Sequence, residues 1–325
     1  MSGQTVVTGG AGYVGAMVCD ELLAAGRDVV VLDTLMHGQD DVVRQLTERG
    51  VEVVRGDVRD PAARRQVLAG ADAVVHLAAI VGDPACARDP ELAQDVNVEG
   101  STALIETARA AGVRRLVFAS TCSNYGRMSD PTVAIDERAE LAPLSLYASQ
   151  KVQIEQALLG GDFAPLDVCC LRFATVYGVA PRMRFDLTVN EFTRDLHLDR
   201  ELDVFGEQFW RPYVHVRDAG RAVRTVLAAP AELVAGRVFN AGSSAENYRK
   251  KDLVEIIHAK TANGSVSFVE RQEDPRDYKV SFERIGRELG FQTTMTVPDG
   301  VEEIIDVLDA GRFDDPFDGR YRNIP

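Results

Sequence analysis

Hydrophobic residues in the first half of the chain fall into short continuous runs, separated by longer stretches with helical character. Gln4 to Thr8 is a short apolar strand, and Gly12 to Ala25 reads as the helix that follows it. Asp28 to Leu32 (Asp-Val-Val-Val-Leu) is apolar without alternation, as in a strand buried on both faces. Val51 to Val54, Ala73 to Leu77 and Arg115 to Ala119 repeat the pattern, and a helix is predicted over Asn97 to Ala111. Strand–helix–strand alternation implies a parallel sheet with helices on both faces. The texture changes near Tyr177, where Pro, Arg and aromatic residues gather in Gly178 to Tyr213. Val238 to Ala241 is expected to return to the main sheet. The tail from Phe313 to Pro325, rich in Asp, Arg and Pro, is expected to be partly mobile.

Two local patterns add chemistry to this layout. Thr8-Gly9-Gly10-Ala11-Gly12-Tyr13-Val14-Gly15 follows the first strand and opens the first helix. Glycines there allow a tight turn and let the backbone approach a pyrophosphate, which the helix N-terminus attracts. Asp33 ends the second strand, where its carboxylate suits a ribose 2′-hydroxyl and repels a 2′-phosphate. No Arg follows it before Arg44, so NAD is expected over NADP. Asp57, after the third strand, has two readings: acceptor for an adenine amino group, or helix cap. The second pattern is Tyr147 with Lys151 in Leu-Tyr-Ala-Ser-Gln-Lys, in a chain that otherwise takes most of its positive charge from Arg. A spacing of four puts both on one helix face, and a cation beside a phenol lowers its pKa from about 10. Tyr147 then becomes a general base.

Composition narrows the partners. The chain has 325 residues, 46% hydrophobic and 26% charged, with a net charge of −14. That charge argues against nucleic acid as a partner. No apolar run approaches the roughly 20 residues of a membrane span, and Met-Ser-Gly-Gln does not open a signal peptide, so a cytoplasmic protein is expected. Cys19, Cys86, Cys122, Cys169 and Cys170 are scattered with no Cys-x-x-Cys pair, so neither a metal site nor a disulfide framework is indicated.

Taken together, these segments resemble the extended short-chain dehydrogenase/reductase family, and within it the nucleotide-sugar epimerases and dehydratases. The resemblance rests on residues 8–15, Gly-Asp-Val at 56–58, His-Leu-Ala-Ala at 76–79, Asn97-Val-Glu-Gly, and Ser120-Thr-Cys-Ser-Asn-Tyr-Gly. It continues through Tyr147/Lys151, Leu171-Arg-Phe-Ala-Thr-Val-Tyr-Gly, Arg211-Pro-Tyr-Val-His-Val and Asn240-Ala-Gly. It implies a Rossmann-type doubly wound α/β fold: an NAD-binding domain over 1–176 with a return strand near 236–243, and a smaller, mainly substrate-binding region over 177–325. NAD would be held by Gly9, Gly12, Tyr13, Val14, Gly15, Asp33, Asp57, Val58, Leu77, Ala78, Ala79, Asn97, Tyr147 and Lys151. Thr121, Tyr147 and Lys151 would be the catalytic set, with Thr121 bonding the sugar oxygen; its plainer reading is a strand-end turn cap. Arg211 and Arg276 would meet the substrate pyrophosphate. Cys86, Cys122, Ser123 and Thr175 would line the sugar site.

Three departures from the family pattern bear on the reaction. Dehydratases carry Asp-Glu after the Thr, where this chain has Cys122 and Ser123, so ordinary 4,6-dehydration is disfavoured; decarboxylating relatives keep the Glu. Cys122 invites a thiol acid/base role, although thiol-using epimerases carry their Cys one position later. Thr175 replaces the usual Asn. The resulting expectation is an NAD-dependent 4-epimerase acting on a nucleotide sugar, foremost a UDP-sugar. The alternatives are a 4-keto reductase, a 3- or 5-epimerase, an atypical dehydratase and, remotely, a noncatalytic NAD-binding regulator. The resemblance also implies a homodimer through helices around 97–111 and 145–160.

Overall fold

A computed structural model describes residues 3–128, 130, 133–261, 263–269 and 276–323. In chain order its strands are β1 (Gln4–Thr8), β2 (Asp28–Asp33), β3 (Glu52–Arg55), β4 (Ala73–His76), β5 (Arg115–Thr121), β6 (Asp167–Phe173), β7 (Thr175–Tyr177), β8 (Glu201–Phe205), β9 (Trp210–His215), β10 (Arg237–Ala241), β11 (Asn247–Arg249) and β12 (Ser265–Val269). Seven of them form one sheet in the order β10-β6-β5-β4-β1-β2-β3. Every pairing in it is parallel. The order reverses direction at β1, so the carboxyl ends of β1 and β4 flank a crevice, the place where open α/β sheets bind ligands.

Both faces of this sheet are buried, which is why its strands read as unbroken apolar runs. Val7, Val31, Val75 and Val117 face one helical layer; Val6, Val30, Val74 and Leu116 face the other. Helices Tyr13–Ala24 and Val216–Ala228 pack against each other, and Gly220 lets their backbones close to contact. A second core, containing Tyr177, Phe185, Tyr213 and Leu253, lies under the smaller region. There β9 pairs in parallel with β7 and antiparallel with β11, while β8 and β12 form a separate parallel pair.

Two local expectations need correction. The helix predicted from Asn97 begins instead with a π-helical stretch, Asp95–Gly100, before the α-helix Ser101–Ala110. Its extra residue per turn turns Asn97 inward; such bulges recur at functional sites. The tail is held rather than loose as far as residue 323. Phe313 and Tyr321 stack edge-on against Phe185, and the Phe185 amide donates to the Tyr321 carbonyl at 2.8 Å. Residues 324–325 lie outside the described residues.

Candidate active site

The glycine turn is sterically tied to the strand beside it. Gly9 has φ +71°, and a side chain there would press on the Ala78 amide nitrogen at 2.9 Å. A Cβ on Gly15 would collide with the Gly9 carbonyl. Only glycine permits the chain to fold back this tightly and leave the first amides of helix Tyr13–Ala24 open. Asp33 fixes the turn from below: one carboxylate oxygen accepts from the Ala11 amide at 3.0 Å, the other from Leu35 at 2.9 Å. Burial raises its pKa, and those two amides oppose the rise.

These groups open into a cavity of about 960 Å³ that runs between the sheet and the smaller region. Gly9, Gly12, Tyr13, Val14, Gly15, Asp33, Asp57, Val58, Leu77, Ala78 and Ala79 line one end. Thr121, Ser123, Tyr147, Lys151, Thr175, Arg211 and Arg276 line the rest. Asp57 faces the cavity but is clasped by its neighbour Arg59, whose guanidinium donates to it at 2.7 Å. The helix cap nearby is Asp60, not Asp57.

Tyr147 and Lys151 share a face of helix Leu146–Gly160, which Ser145 caps through the Ala148 amide. The pair is not joined head to head. The Lys151 ammonium donates to the Ala119 carbonyl at 2.8 Å and lies 5.8 Å from the centre of the Tyr147 ring. Burial pulls Lys151 down to about 8. Burial pushes the Tyr147 phenol well up, with Cys86 and Asp83 adding to the rise and Arg184 opposing it. The expected lowering of the phenol by Lys151 is not among the causes that set it; desolvation dominates. Thr121 caps the turn Cys122–Tyr125, its Oγ1 accepting from the Ser123 amide at 3.1 Å, and it also lines the cavity.

Three expected site residues do not reach the cavity. Cys122 is 1% exposed and its thiol donates to the Arg172 carbonyl at 3.3 Å; burial drives its pKa far up. β5 ends at Thr121, and Cys122 opens the tight turn that follows, which carries its thiol inward toward β6. Cys86 is fully buried, donates to the Ile80 carbonyl at 3.3 Å and is pushed up to about 11. Neither thiol is placed to touch a sugar. Asn97, expected among the cofactor contacts by resemblance, supports the site from behind. Its carboxamide accepts from the Ile80 amide at 2.8 Å and donates to the Ile80 carbonyl at 3.0 Å and to Gln150 at 2.9 Å.

Several motif residues turn out to form a framework behind the site. Glu155 (1% exposed side chain) and Arg172 (4%) make a buried ion pair. Ser120 donates to Glu155 at 2.5 Å, Arg172 to the Tyr125 hydroxyl at 2.7 Å, and that hydroxyl to Asn240 at 2.7 Å. This chain of bonds ties β5, β6, β10 and helix Leu146–Gly160 together directly behind Thr121. The cavity wall also contains residues that the sequence did not single out: Asp83, Arg182, Arg184, Tyr278, Arg322 and Asn323. Asp83 starts the helix that follows β4, a usable local signal; the others come from distant segments.

A doubly wound parallel sheet, a glycine turn at its switch point and an acidic residue ending β2 define a Rossmann-type dinucleotide-binding protein. Residues 5–242 match the NAD dependent epimerase/dehydratase family. A UDP-glucose 4-epimerase from Streptomyces lividans is 41% identical over 238 residues, 68% of this chain and 70% of that protein. A dTDP-glucose 4,6-dehydratase from Streptomyces griseus is 32% identical over 311 residues, 93% of this chain and 92% of that one. The structure of a Thermus thermophilus UDP-glucose 4-epimerase in complex with NAD superposes with a TM-score of 0.83 at 25% identity, covering 95% of this chain and 99% of the other. The chain belongs to the NAD dependent epimerase/dehydratase family, among the extended short-chain dehydrogenases/reductases, and its cofactor is NAD. Among the described residues no helix is long and apolar enough to cross a membrane.

The fold changes one part of the cofactor argument. No Arg follows Asp33 closely in sequence, but Arg182 comes within electrostatic reach of it. Calorimetry should still show NAD binding at least about tenfold more tightly than NADP, roughly one like-charge contact. Equal affinities would mean that Arg182 cancels Asp33.

Proposed function

We propose that this protein is an NAD-dependent nucleotide-sugar 4-epimerase that works through a transient 4-keto sugar, with a UDP-sugar as its substrate. The observation that carries the reading is the content of the cavity beside Thr121. Thr121, Tyr147 and Lys151 converge there, while the following positions hold Ser123 and an inward-turned Cys122 in place of two carboxylates. When bound, NAD would supply a hydride acceptor beside the sugar. Thr121 donates to the C4 oxygen and Tyr147 takes its proton, then gives it back after the keto sugar has turned over. Lys151 lends positive charge to the phenol side of the pocket. Arg211, stacked on Tyr278 with its guanidinium 5.2 Å from the ring centre, suits the diphosphate.

One observation favours a second reading, an atypical dehydratase. Asp83 lies in the cavity wall with Oδ1 buried and without a hydrogen-bond partner among the described residues, while Oδ2 pairs with Arg276 at 3.0 Å. A carboxylate near Tyr147 would serve as the proton carrier of an elimination. Product mass separates the two. Incubation with a small panel of nucleotide sugars should give an isomer of unchanged mass, inverted at C4 by NMR, with no NADH accumulating. In deuterated water no label should enter C3 or C5. Label at those carbons would move the assignment to a 3- or 5-epimerase, stoichiometric use of reduced cofactor to a reductase, and loss of one water to Asp83-assisted dehydration.

A further inference from the structure

One stretch of the cavity wall carries positive charge that the protein itself does not satisfy. Arg182 is only 7% exposed, yet its Nε has no hydrogen-bond partner among the described residues. Among the described residues it makes one hydrogen bond, from Nη2 to the Arg322 carbonyl at 3.3 Å. Neighbouring Arg184 is neutralised by Asp186, with both forks at 2.9 Å. Arg182 has no such carboxylate within ion-pair distance among the described residues; Asp33 and Asp186 act on it only from farther away. Arg322 is partly buried and within electrostatic reach of Glu191, but its Nε is buried and without a hydrogen-bond partner among the described residues, and it too lines the cavity. The next residue, Asn323, leaves its Oδ1 buried and without a partner among the described residues. A desolvated guanidinium without an ion-pair partner is strongly unfavourable, and Arg182, with the unpartnered Nε of Arg322 lining the same cavity, calls for an anion.

Position identifies the anion. Arg182 lies toward Asp33 and His37, at the dinucleotide end of the cavity. Its segment is held against the first helix, where the Tyr13 hydroxyl donates to the Gly178 carbonyl at 2.6 Å. The tail is laced to the same segment by the Asn323 amide, which donates to Asp186 at 3.0 Å. We infer that Arg182 and Arg322 grip the pyrophosphate of NAD from the side opposite the glycine turn, so that the segment around 320–323 fastens the cofactor into the protein. The acceptor Oδ1 of Asn323 then suits an adenosine ribose hydroxyl, which a phosphate could not satisfy. The inference rests on NAD as cofactor and is independent of the sugar reaction.

The test uses the full chain, stripped of cofactor, with Arg182→Gln, Arg322→Gln and the double variant, each checked for folding by circular dichroism. NAD affinity is read by calorimetry and NAD release by a chase, both without sugar. Each single change should weaken NAD about tenfold or more, mainly through faster release, as expected for loss of a charged hydrogen bond. Arg182→Lys should recover part of the loss. Unchanged NAD affinity in folded Arg182→Gln and Arg322→Gln would overturn the inference. So would unchanged NAD affinity with weakened UDP binding, which would give these residues to the substrate. If Arg182→Gln does not fold, Arg322→Gln on the tail decides alone. Failure of 4-epimerisation with these NAD effects intact would count against the proposed reaction only.

Discussion

Replacing Tyr147 by Phe should lower turnover a hundredfold or more while leaving NAD binding close to that of the parent protein. The change removes one oxygen and almost no volume, so the helix Leu146–Gly160 and its cap are undisturbed. What is lost is the group that accepts the C4 proton, and general base catalysis commonly contributes two to four powers of ten. Burial holds the phenol up. The positive nicotinamide that arrives with NAD acts in the opposite direction. Turnover of the parent should therefore rise with pH along an acid limb that Tyr147→Phe abolishes. Cys122→Ser should cost far less, because the thiol points at the Arg172 carbonyl and away from the sugar. A near-normal Tyr147→Phe combined with a dead Cys122→Ser would sink the mechanism and replace it with thiol chemistry.

The second large effect concerns stability. Glu155→Leu should destabilise the protein by about 3–5 kcal/mol, read from denaturant midpoints, because Arg172 is left charged and buried. Ser120 and Asn124 lose their acceptor at the same time. Adding Arg172→Met should restore much of the loss, since an apolar pair of similar volume carries no desolvation penalty. A single variant that costs less than about 1 kcal/mol would show that the pair is no keystone. Turnover should fall in the single variant as well, because Ser120 leads directly into Thr121.

What the sequence revealed was what is local. The glycine turn, Asp33 and the Tyr147/Lys151 spacing are each readable within a few residues, and the structure puts them in one cavity. The core strands were legible because burial on both faces leaves an unbroken apolar run; β1 spans Gln4–Thr8 as read, and β2 and β4 differ at one end by a residue. The side a residue faces was less legible: Thr121 ends β5 and Cys122 opens the turn after it, and only the fold turns the thiol inward, away from the cavity. The electrostatic partner of Tyr147 was misjudged because spacing fixes a face and not a contact: Lys151 directs its proton to the Ala119 carbonyl. Arg182, Arg322 and Asn323 were out of reach for a different reason. They carry no local pattern, and only the folding of the tail across residues 185–186 brings them together.

The place of β10 has a consequence for how the chain can be divided. This strand arises after much of the smaller region has been laid down, yet it pairs along β6 from Arg237 opposite Cys169 to Ala241 opposite Phe173. Without it β6 would be a bare edge of Val, Cys, Leu and Phe, an open template for pairing with another chain. A fragment ending near residue 176 would therefore be an aggregation hazard rather than a small NAD-binding module. On the ribosome, too, the sheet stays unfinished until β10 has emerged, a window in which the nascent chain depends on shielding from its neighbours.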